Sequence, residues 1–438
     1  MWQALFGIIG LQAGIMIMFM LREYHTSVPL EHCSVLTIPG KTPGETEFGY
    51  ITSATWIPQT STLYVTSIGT YLFDVERAKV LKRNKSLDVA FNQSFPLEGL
   101  RVVGEIVRFA KWGQIHSICE SVPSANVDIN IFGKVNTLKC QFEGNRKGDG
   151  GEIIQLYTSN QCWKLDISQP QGSIARYTNR AQIVGEQNTM AVCIAGVKNF
   201  THHALEAVSR QVDGMKVSHV YFGLNSNSLT LRRQYESLLE RFIRDGRVSI
   251  IPSPAPDSDL LFTQAKLPFL SECLMHCKLH RDLFMGVWDL DEVPRYRVPP
   301  THGSLAQHLI ATGADKNTCF LALRSETCTR PHPVKGYIQP ILPANATLGQ
   351  RFPLSGMMQC ANYTKAISIV PRVELSGIHQ PEHCDLYPSL NKNSLSRDPS
   401  YVRIPPNVHL LHFIQLFAAR FPFCQSYPAG HEHNHCNL

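Results

Sequence analysis

Apolar runs that alternate with helical segments between residues 190 and 288 constrain the fold more than any other feature. Short apolar runs of strand length occupy 191–197, 217–224, 248–251 and 283–288. Segments with helical spacing or helical length separate them at 204–215, 229–245 and 262–280, and Gly246 follows the second of these where a C-cap belongs. Strand–helix alternation of this kind predicts a parallel α/β sheet with right-handed crossovers.

Three carboxylates, Asp289, Asp291 and Glu292, follow the fourth apolar run directly. Open α/β sheets bind ligands at the carboxyl ends of their strands. On an extended chain Asp289 and Asp291 point the same way and repel each other unless a cation lies between them. Mg²⁺ or Mn²⁺ suits such oxygen ligands and keeps positions open for phosphates. We therefore expect a nucleotide or a nucleotide-sugar diphosphate here; the alternative is that the aspartates cap a turn.

Other polar residues near the strand ends leave more than one interpretation open. The Asp-x-Asp pattern recurs at Asp257 and Asp259, within a Ser/Pro-rich stretch that we interpret as a solvated loop. Lys198 follows the first run and is either a phosphate ligand or a surface lysine. Asn225 follows the second run and offers polar groups to a base or a ribose.

Histidines in the irregular, Pro-containing part of the chain are candidates for completing the coordination of an ion. They are His332, His379 and His412, although a single histidine is more often a surface or packing residue. The tail at 431–436 has the composition of a metal-binding segment, but a short, polar terminus is more often disordered.

Composition indicates a globular protein of the secretory pathway. The chain has 438 residues, enough for two or three domains. Of these residues 43% are hydrophobic and 17% are charged, which is typical of a globular protein with a sizeable core. The net charge of +6 comes without a basic block, so we expect no nucleic-acid partner. Thirteen cysteines, an odd number, leave at least one unpaired within the monomer. The cysteines and five sequons, at Asn84, Asn92, Asn199, Asn345 and Asn362, favour an oxidising compartment.

The amino-terminal segment predicts a membrane anchor. Residues 2–21 carry no charged side chain and as a helix would span roughly 30 Å, the thickness of a bilayer core. No basic start or small-residue cleavage site is evident, which favours a retained signal-anchor over a cleaved signal peptide. Arg22 after the span would place the body in the cytoplasm by the positive-inside rule. The sequons and cysteines instead favour the lumen.

These observations divide the chain into five parts. Residues 1–22 form the signal-anchor transmembrane helix and 23–46 a stem. Residues 47–186 form a small β-rich domain, possibly a sandwich, with apolar runs at 63–73, 102–109, 127–132 and 153–157. Residues 187–425 form the α/β domain, and 426–438 a polar tail.

Several motifs of the α/β part together resemble glycosyltransferase family 92 over residues 190–415. The similarity begins at Cys193-Ile-Ala-Gly-Val-Lys198-Asn, continues through Val220-Tyr-Phe-Gly-Leu-Asn225, Cys273 and Trp288-Asp-Leu-Asp-Glu292, and closes with Val370-Pro-Arg, Gly377-Ile-His379 and His409-Leu-Leu-His412-Phe. Ile414 departs from the family pattern, which has an aromatic and a basic residue after the last histidine.

The resemblance implies a GT-A fold, which is a Rossmann-like nucleotide-diphospho-sugar transferase domain. It implies a single-pass type II protein of the Golgi membrane with a lumenal catalytic domain. The implied activity is metal-dependent, inverting transfer of a hexose, often galactose, from a UDP-sugar donor to a glycan acceptor. Carried over to this chain, Asp289 and Asp291 bind Mn²⁺ or Mg²⁺ and the diphosphate, and His412, or else His379, is a further ligand.

The resemblance also places Lys198 and Asn225 near the nucleotide. For the mechanism we expect a single displacement, in which a carboxylate takes the proton of the acceptor hydroxyl. Glu292 and Glu326 are the candidates for this base, and Glu292 is so close to the expected ion that a structural role is its alternative. Two rival functions remain open: a non-catalytic glycan-binding membrane protein that uses the β-rich domain, and a metal-dependent hydrolase that uses the same carboxylates.

Overall fold

A computed structural model gives the structure of the chain. It describes residues 34–35, 50–68, 102–107, 115–122, 135–141, 153–157, 162–166, 170–180, 189–226, 228–252, 262–296, 303–312, 318–329, 357–377, 381, 383–384, 402–403, 408–414 and 424–426. Several expectations concern residues outside these ranges: the segment 2–21, most of the stem, the run 127–132, the Asp257–Asp259 loop, His332, His379, the tail beyond 426, and the sequons at Asn84, Asn92 and Asn345. No helix within the described ranges is long and apolar enough to cross a membrane.

The amino-terminal part forms one nine-stranded sheet with a short helix at its end. Its strands are β1 (Ser34–Val35), β2 (Tyr50–Ile57), β3 (Thr62–Ile68), β4 (Val102–Val107), β5 (Ile115–Val122), β6 (Val135–Gln141), β7 (Ile153–Tyr157), β8 (Cys162–Asp166) and β9 (Gln171–Gly172), followed by α1 (Ser173–Tyr177). The order is β1-β8-β7-β4-β5-β6-β3-β2-β9. Ser34–Val35, which the sequence assigns to the stem, add a parallel edge strand beside β8. The predicted apolar runs at 63–73, 102–109 and 153–157 each overlap a strand.

The chain then follows the predicted alternation from residue 190 to residue 288. The elements are β10 (Met190–Val197), α2 (His203–Ser209) continued by a π-helical turn (Arg210–Gly214), β11 (His219–Leu224), α3 (Leu229–Leu238), α4 (Glu240–Arg244), β12 (Val248–Ile251), α5 (Phe262–Leu279) and β13 (Phe284–Trp288). The predicted helix 229–245 is two helices, because Leu239 between them has a non-helical φ of −107°. Gly246 follows with a φ of +66°, as expected of a C-cap glycine.

The remaining elements extend the second sheet to ten strands. They are β14 (Glu292–Tyr296), α6 (Leu305–Ala311), β15 (Phe320–Thr329), β16 (Met357–Ile369), β17 (Val373–Leu375), β18 (His383–Cys384), β19 (Val402–Arg403), β20 (Val408–Ile414) and β21 (Cys424–Ser426). The main order is β12-β11-β10-β13-β16-β15-β20-β14, with β19 on β15 and β21 on β16, while β17 and β18 pair separately. The first four strands are parallel, and β16 joins β13 antiparallel.

Helices cover both faces of the four parallel strands. Side chains alternate along β10, so that Val192 and Ile194 pack with α2, α3, α4 and α6 on one face. Ala191 and Cys193 on the other face pack with α5. Both faces of the strands are therefore buried, which explains why β10 and β13 are uninterrupted apolar runs rather than alternating ones.

Glu374 of β17 connects the β17–β18 pair with the nine-stranded sheet and with helix α5 at a buried interface. One of its carboxylate oxygens accepts the hydroxyl of Tyr64 at 2.6 Å, and the other accepts the ammonium of Lys139 at 2.9 Å. Lys278 of α5 lies 3.8 Å away. Burial acts to raise the pKa of Glu374, but Lys278, Tyr64 and Lys139 outweigh it and hold the pKa below its ordinary value.

We predict that Glu374→Gln lowers the midpoint of chemical denaturation at pH 7, because it removes the charge that two lysines face. A carboxyl group with a lowered folded pKa stabilises the fold above its unfolded pKa of about 4.3, and that contribution is lost as the pH falls through the folded value. The difference between variant and wild type should therefore shrink below about pH 4. Glu240→Gln, at an exposed position, is the control. A difference that is independent of pH would contradict this role.

Gly286 makes room for the largest side chain of β13. A Cβ atom at this position would lie 2.4 Å from the ring of Trp288 and 2.8 Å from the terminal methyl of Met190. Trp288 is 1% exposed and immediately precedes the carboxylates. The backbone that leads to Asp289 is therefore fixed by a tryptophan that only a glycine two residues earlier accommodates.

We expect Gly286→Ala to lower the denaturation midpoint, at a cost of about 1–3 kcal/mol for overpacking. Gly214→Ala is the matched control, because nothing lies within 4 Å of a Cβ atom there. Equal midpoints for the two variants would show that the ring of Trp288 can move aside.

Candidate functional site

The two aspartates of the Asp-x-Asp pattern lie in a tight turn between β13 and β14. The backbone N–H of Glu292 donates to the carbonyl oxygen of Asp289 at 3.1 Å, three residues apart, as in a β-turn. The expectation that the aspartates share one direction on an extended chain is therefore wrong, because β13 ends at Trp288. Asp291 is exposed at the turn, and Asp289 is half-buried.

Two buried lysines bind the carboxylate of Asp289. Lys266 of α5 donates to Oδ1, and Lys365 of β16 donates to Oδ2 at 3.0 Å. Each lysine is 2% exposed as a residue, whereas the side chain of Asp289 is 30% exposed. The lysines therefore approach Asp289 from the protein interior, and the carboxylate keeps an open side.

Glu292 ties this arrangement to the backbone of the turn. Its Oε2 accepts the backbone N–H of Asp289 at 2.7 Å and lies 3.2 Å from the ammonium of Lys365. The residue is 1% exposed. Glu292 therefore helps to fix the conformation of the turn and shares Lys365 with Asp289.

The charges of these four residues perturb one another strongly. Burial acts to raise the pKa of Asp289, but Lys365 and Lys266 outweigh it and lower the pKa to about 2. Burial acts to lower the pKa of Lys365, but Glu292 and Asp289 outweigh it, so that its pKa is raised. For Lys266, burial outweighs the attraction of Asp289, and its pKa is lowered. Lys365 is therefore the more firmly held cation.

The sequence did not indicate either lysine as a functional residue. Lys365 is 76 residues from Asp289, and no local pattern marks such a contact. Lys266 carried a weak signal, because it is a charge in a helix whose residues 266–277 are continuously buried. A buried lysine requires a partner, and a carboxylate was the natural one to seek.

The predicted nucleotide residues follow β10, which neighbours β13, and β11, which is the next strand beyond β10. Lys198 is exposed and follows β10 directly. Asn225 is half-buried after β11, and its backbone N–H donates to the carbonyl oxygen of Val197 at 2.8 Å. Because Ile194 pairs with Trp288 across the parallel strands, the carboxyl ends of β10, β11 and β13 lie at one edge. Across the sheet the four parallel strands follow the order β12, β11, β10, β13. The chain order reverses between β10 and β13, and crevices for ligands form at such a point.

The backbone brings two further candidates to neighbouring strands. His412 of β20 stands directly opposite Glu292 of β14 in the antiparallel register. Glu326 of β15 stands beside Leu411 of β20, and Thr327 beside His412. The side chains of Glu326 and His412 are outside the described part of the structure.

The chemistry of the turn fits a divalent ion that is held together with phosphate. Each oxygen of a carboxylate has two lone pairs, so Asp289 retains acceptor capacity after binding both lysines. Asp291 is exposed. Mg²⁺ usually takes one or two carboxylates and completes its shell with water and substrate phosphates. Among the described residues, the one group of three close His, Cys, Asp or Glu ligand atoms is Cys193, Cys273 and Cys277.

That cysteine group is a disulfide with a third, free thiol nearby. Cys193 of β10 is bonded to Cys273 of α5, and Cys277 is free and buried. A second disulfide joins Cys319 to Cys384. Two of the three sulfurs are therefore engaged in a covalent bond, and the group is part of the core rather than a metal centre.

No protein-family model matches the sequence, and no curated protein matches it. Parallel α/β sheets with a ligand edge occur in many enzymes and binding proteins, so the fold alone does not define an activity. A functional proposal therefore depends on the chemistry of the turn that contains Asp289, Asp291 and Glu292, which we call the carboxylate turn.

We predict that Lys365→Met destabilises the protein by about 3–5 kcal/mol, because it removes the ammonium group that lies 3.2 Å from the buried carboxylate of Glu292. Adding Glu292→Gln should restore part of the loss. Lys216→Met, at an exposed lysine, is the control. Chemical denaturation measures all three variants. A single Lys365→Met variant as stable as the control would show that Glu292 is protonated or otherwise compensated.

Proposed function

We propose that the protein is a metal-dependent, inverting glycosyltransferase of GT-A type. It moves a hexose, galactose by its resemblance to glycosyltransferase family 92, from a UDP-sugar to a glycan. One observation carries the proposal: a partly exposed aspartate turn, braced from the interior by two buried lysines, follows the fourth parallel strand beside the point where the strand order reverses. This is the edge at which α/β sheets bind phosphate-containing ligands.

In this proposal the turn receives the diphosphate of the donor. Asp289 and Asp291 hold Mn²⁺ or Mg²⁺, and His412 is the further ligand that the resemblance implies. When bound, such an ion supplies Lewis-acid neutralisation of the leaving diphosphate. Lys198 and Asn225 bind the nucleotide from the neighbouring strand ends.

We assign Glu292 a positioning role and retain Glu326 as the candidate base. A general base must reach the proton that it removes and must have a free lone pair for it. Glu292 is 1% exposed, and its Oε2 accepts both the backbone N–H of Asp289 and the ammonium of Lys365. Glu326 is proposed on its strand position beside β20 alone.

The compartment is part of the proposal. We propose a single-pass type II protein of the Golgi membrane, anchored by residues 2–21, with the catalytic domain in the lumen. The disulfides Cys193–Cys273 and Cys319–Cys384 support an oxidising compartment, since cytosolic proteins rarely keep such bonds.

The test is calorimetric titration of UDP and UDP-galactose into the detergent-solubilised full chain, with and without Mn²⁺. We expect nucleotide binding that requires the metal and that Asp291→Ala abolishes, because the variant removes an oxygen ligand from an exposed turn position without opening a cavity. Asp259→Ala, in the second Asp-x-Asp copy, is the control and should bind as the wild type does.

The other outcomes separate the rival functions. Full nucleotide binding and full sugar transfer in Asp291→Ala would rule out the proposal that the turn binds the metal ion. Sugar binding that survives metal removal, without nucleotide binding, would favour a glycan-binding protein. Release of free sugar or phosphate in the absence of an acceptor would favour a hydrolase.

A further inference from the structure

Two buried lysines face Asp289 and Glu292 of the turn before any ligand arrives, and Asp291 adds a third, exposed carboxylate. Asp289 and Glu292 contribute two negative charges, and Lys266 and Lys365 contribute two positive charges within hydrogen-bonding or ion-pair contact. Three of the four residues are no more than 2% exposed. Ion pairs in such a poorly solvated environment interact more strongly than at the surface.

We infer that Lys266 and Lys365 are positioning residues that neutralise Asp289 in the free protein, so that Asp289 gains a divalent cation only together with a diphosphate. The inference rests on the proposed function, because the ion and the nucleotide are its ligands. A dipositive ion beside two ammonium groups is repelled by them, and the negative diphosphate offsets this repulsion. The lysines thereby couple the binding of the metal to the binding of the donor.

The positions of the lysines argue against direct contact with the donor. Both are 2% exposed and reach Asp289 from α5 and β16, on the interior side of the turn. Asp289 is the member of the cluster with the exposed side chain. The lysines therefore act through Asp289, whose orientation and charge they set.

The two lysines differ in what their removal leaves behind. Lys365 contacts both Asp289 and the buried carboxylate of Glu292, so its loss takes a positive charge away from two carboxylates. Lys266 forms an ion pair with Asp289, which retains Lys365 and an open side when Lys266 is replaced. Lys266→Met is therefore the variant that changes the charge at Asp289 with the smaller cost to the fold.

The experiment measures Mn²⁺ binding by electron paramagnetic resonance on the solubilised full chain, with and without UDP. In the wild type we expect Mn²⁺ to bind at least about tenfold more tightly when UDP is present. In Lys266→Met we expect Mn²⁺ binding without UDP to tighten by at least about tenfold, because one repelling ammonium is gone. Lys266→Arg, which keeps the charge, should behave as the wild type does.

A second variant keeps the test decisive if Lys266→Met does not fold. Asp289→Asn leaves the two ammonium groups uncompensated on one side, so we expect metal-free UDP to bind more tightly and metal-dependent UDP binding to weaken. If the lysines only supported the fold, Lys266→Met would not tighten Mn²⁺ binding, and Asp289→Asn would not tighten the binding of metal-free UDP.

The outcomes distinguish this inference from the proposed function. Equal Mn²⁺ affinity in the wild type with and without UDP would overturn both the coupling and the metal-dependent UDP binding of the proposed function, because the coupling between two ligands is reciprocal. Unchanged Mn²⁺ affinity in a folded Lys266→Met variant, or unchanged metal-free UDP binding in Asp289→Asn, would overturn the role of the lysines. The absence of UDP binding under every condition would overturn the proposed function, and this inference with it.

Discussion

The burial of helix α5 between the two sheets is the constraint on which the rest of the structure depends. Its residues 266–277 are continuously buried, since the helix packs against the parallel strands on one side and against β2 and β3 on the other. A helix that is buried on all sides needs partners for the charged side chains that it carries into the interior. Four of its residues make the specific contacts: Lys266 with Asp289, Glu272 with the backbone N–H of Ile174, Cys273 with Cys193, and Lys278 with Glu374.

A carboxylate paired with buried basic side chains lies at each end of the parallel strands, but the two carboxylates differ in their access to solvent. Near their amino ends, Arg180 binds Asp282 through two hydrogen bonds of 2.6 and 2.7 Å, and Thr189 and Ser218 also donate to Asp282. The side chain of Asp282 has no exposed surface. Its acceptor capacity is used within the fold, whereas Asp289 at the carboxyl end keeps an open side.

The strand and helix order between residues 190 and 288 could be predicted because each apolar run is buried on both faces. Continuous apolar runs bounded by amphipathic or capped helices have few other solutions, and Gly246 marked one helix end correctly. The division of the helix at Leu239 could not be predicted, since nothing in the local sequence breaks the pattern there. The hydrogen bonds between Asp289 and Glu292 that fix the turn between β13 and β14 could likewise not be predicted from residue spacing.

The candidate site was only partly predictable, for a related reason. The edge position of Asp289 and the neighbouring ends at Lys198 and Asn225 followed from the strand order. Lys266 and Lys365 were missed because they reach the turn from elements that are distant along the chain. Their contacts depend on sheet register, which spacing within a motif does not encode.

The position of Lys365 on β16 has a consequence for the order in which the chain acquires structure during synthesis. The four parallel strands and α5 are complete by residue 288, yet Glu292 meets its counter-charge only when β16 pairs with β13. A nascent chain that ends before residue 365 contains the four parallel strands but lacks the lysine that lies 3.2 Å from the carboxylate of Glu292. A chain that lacks β16 is thus an incomplete folding unit, and the carboxylate turn is completed only after translation has passed β16.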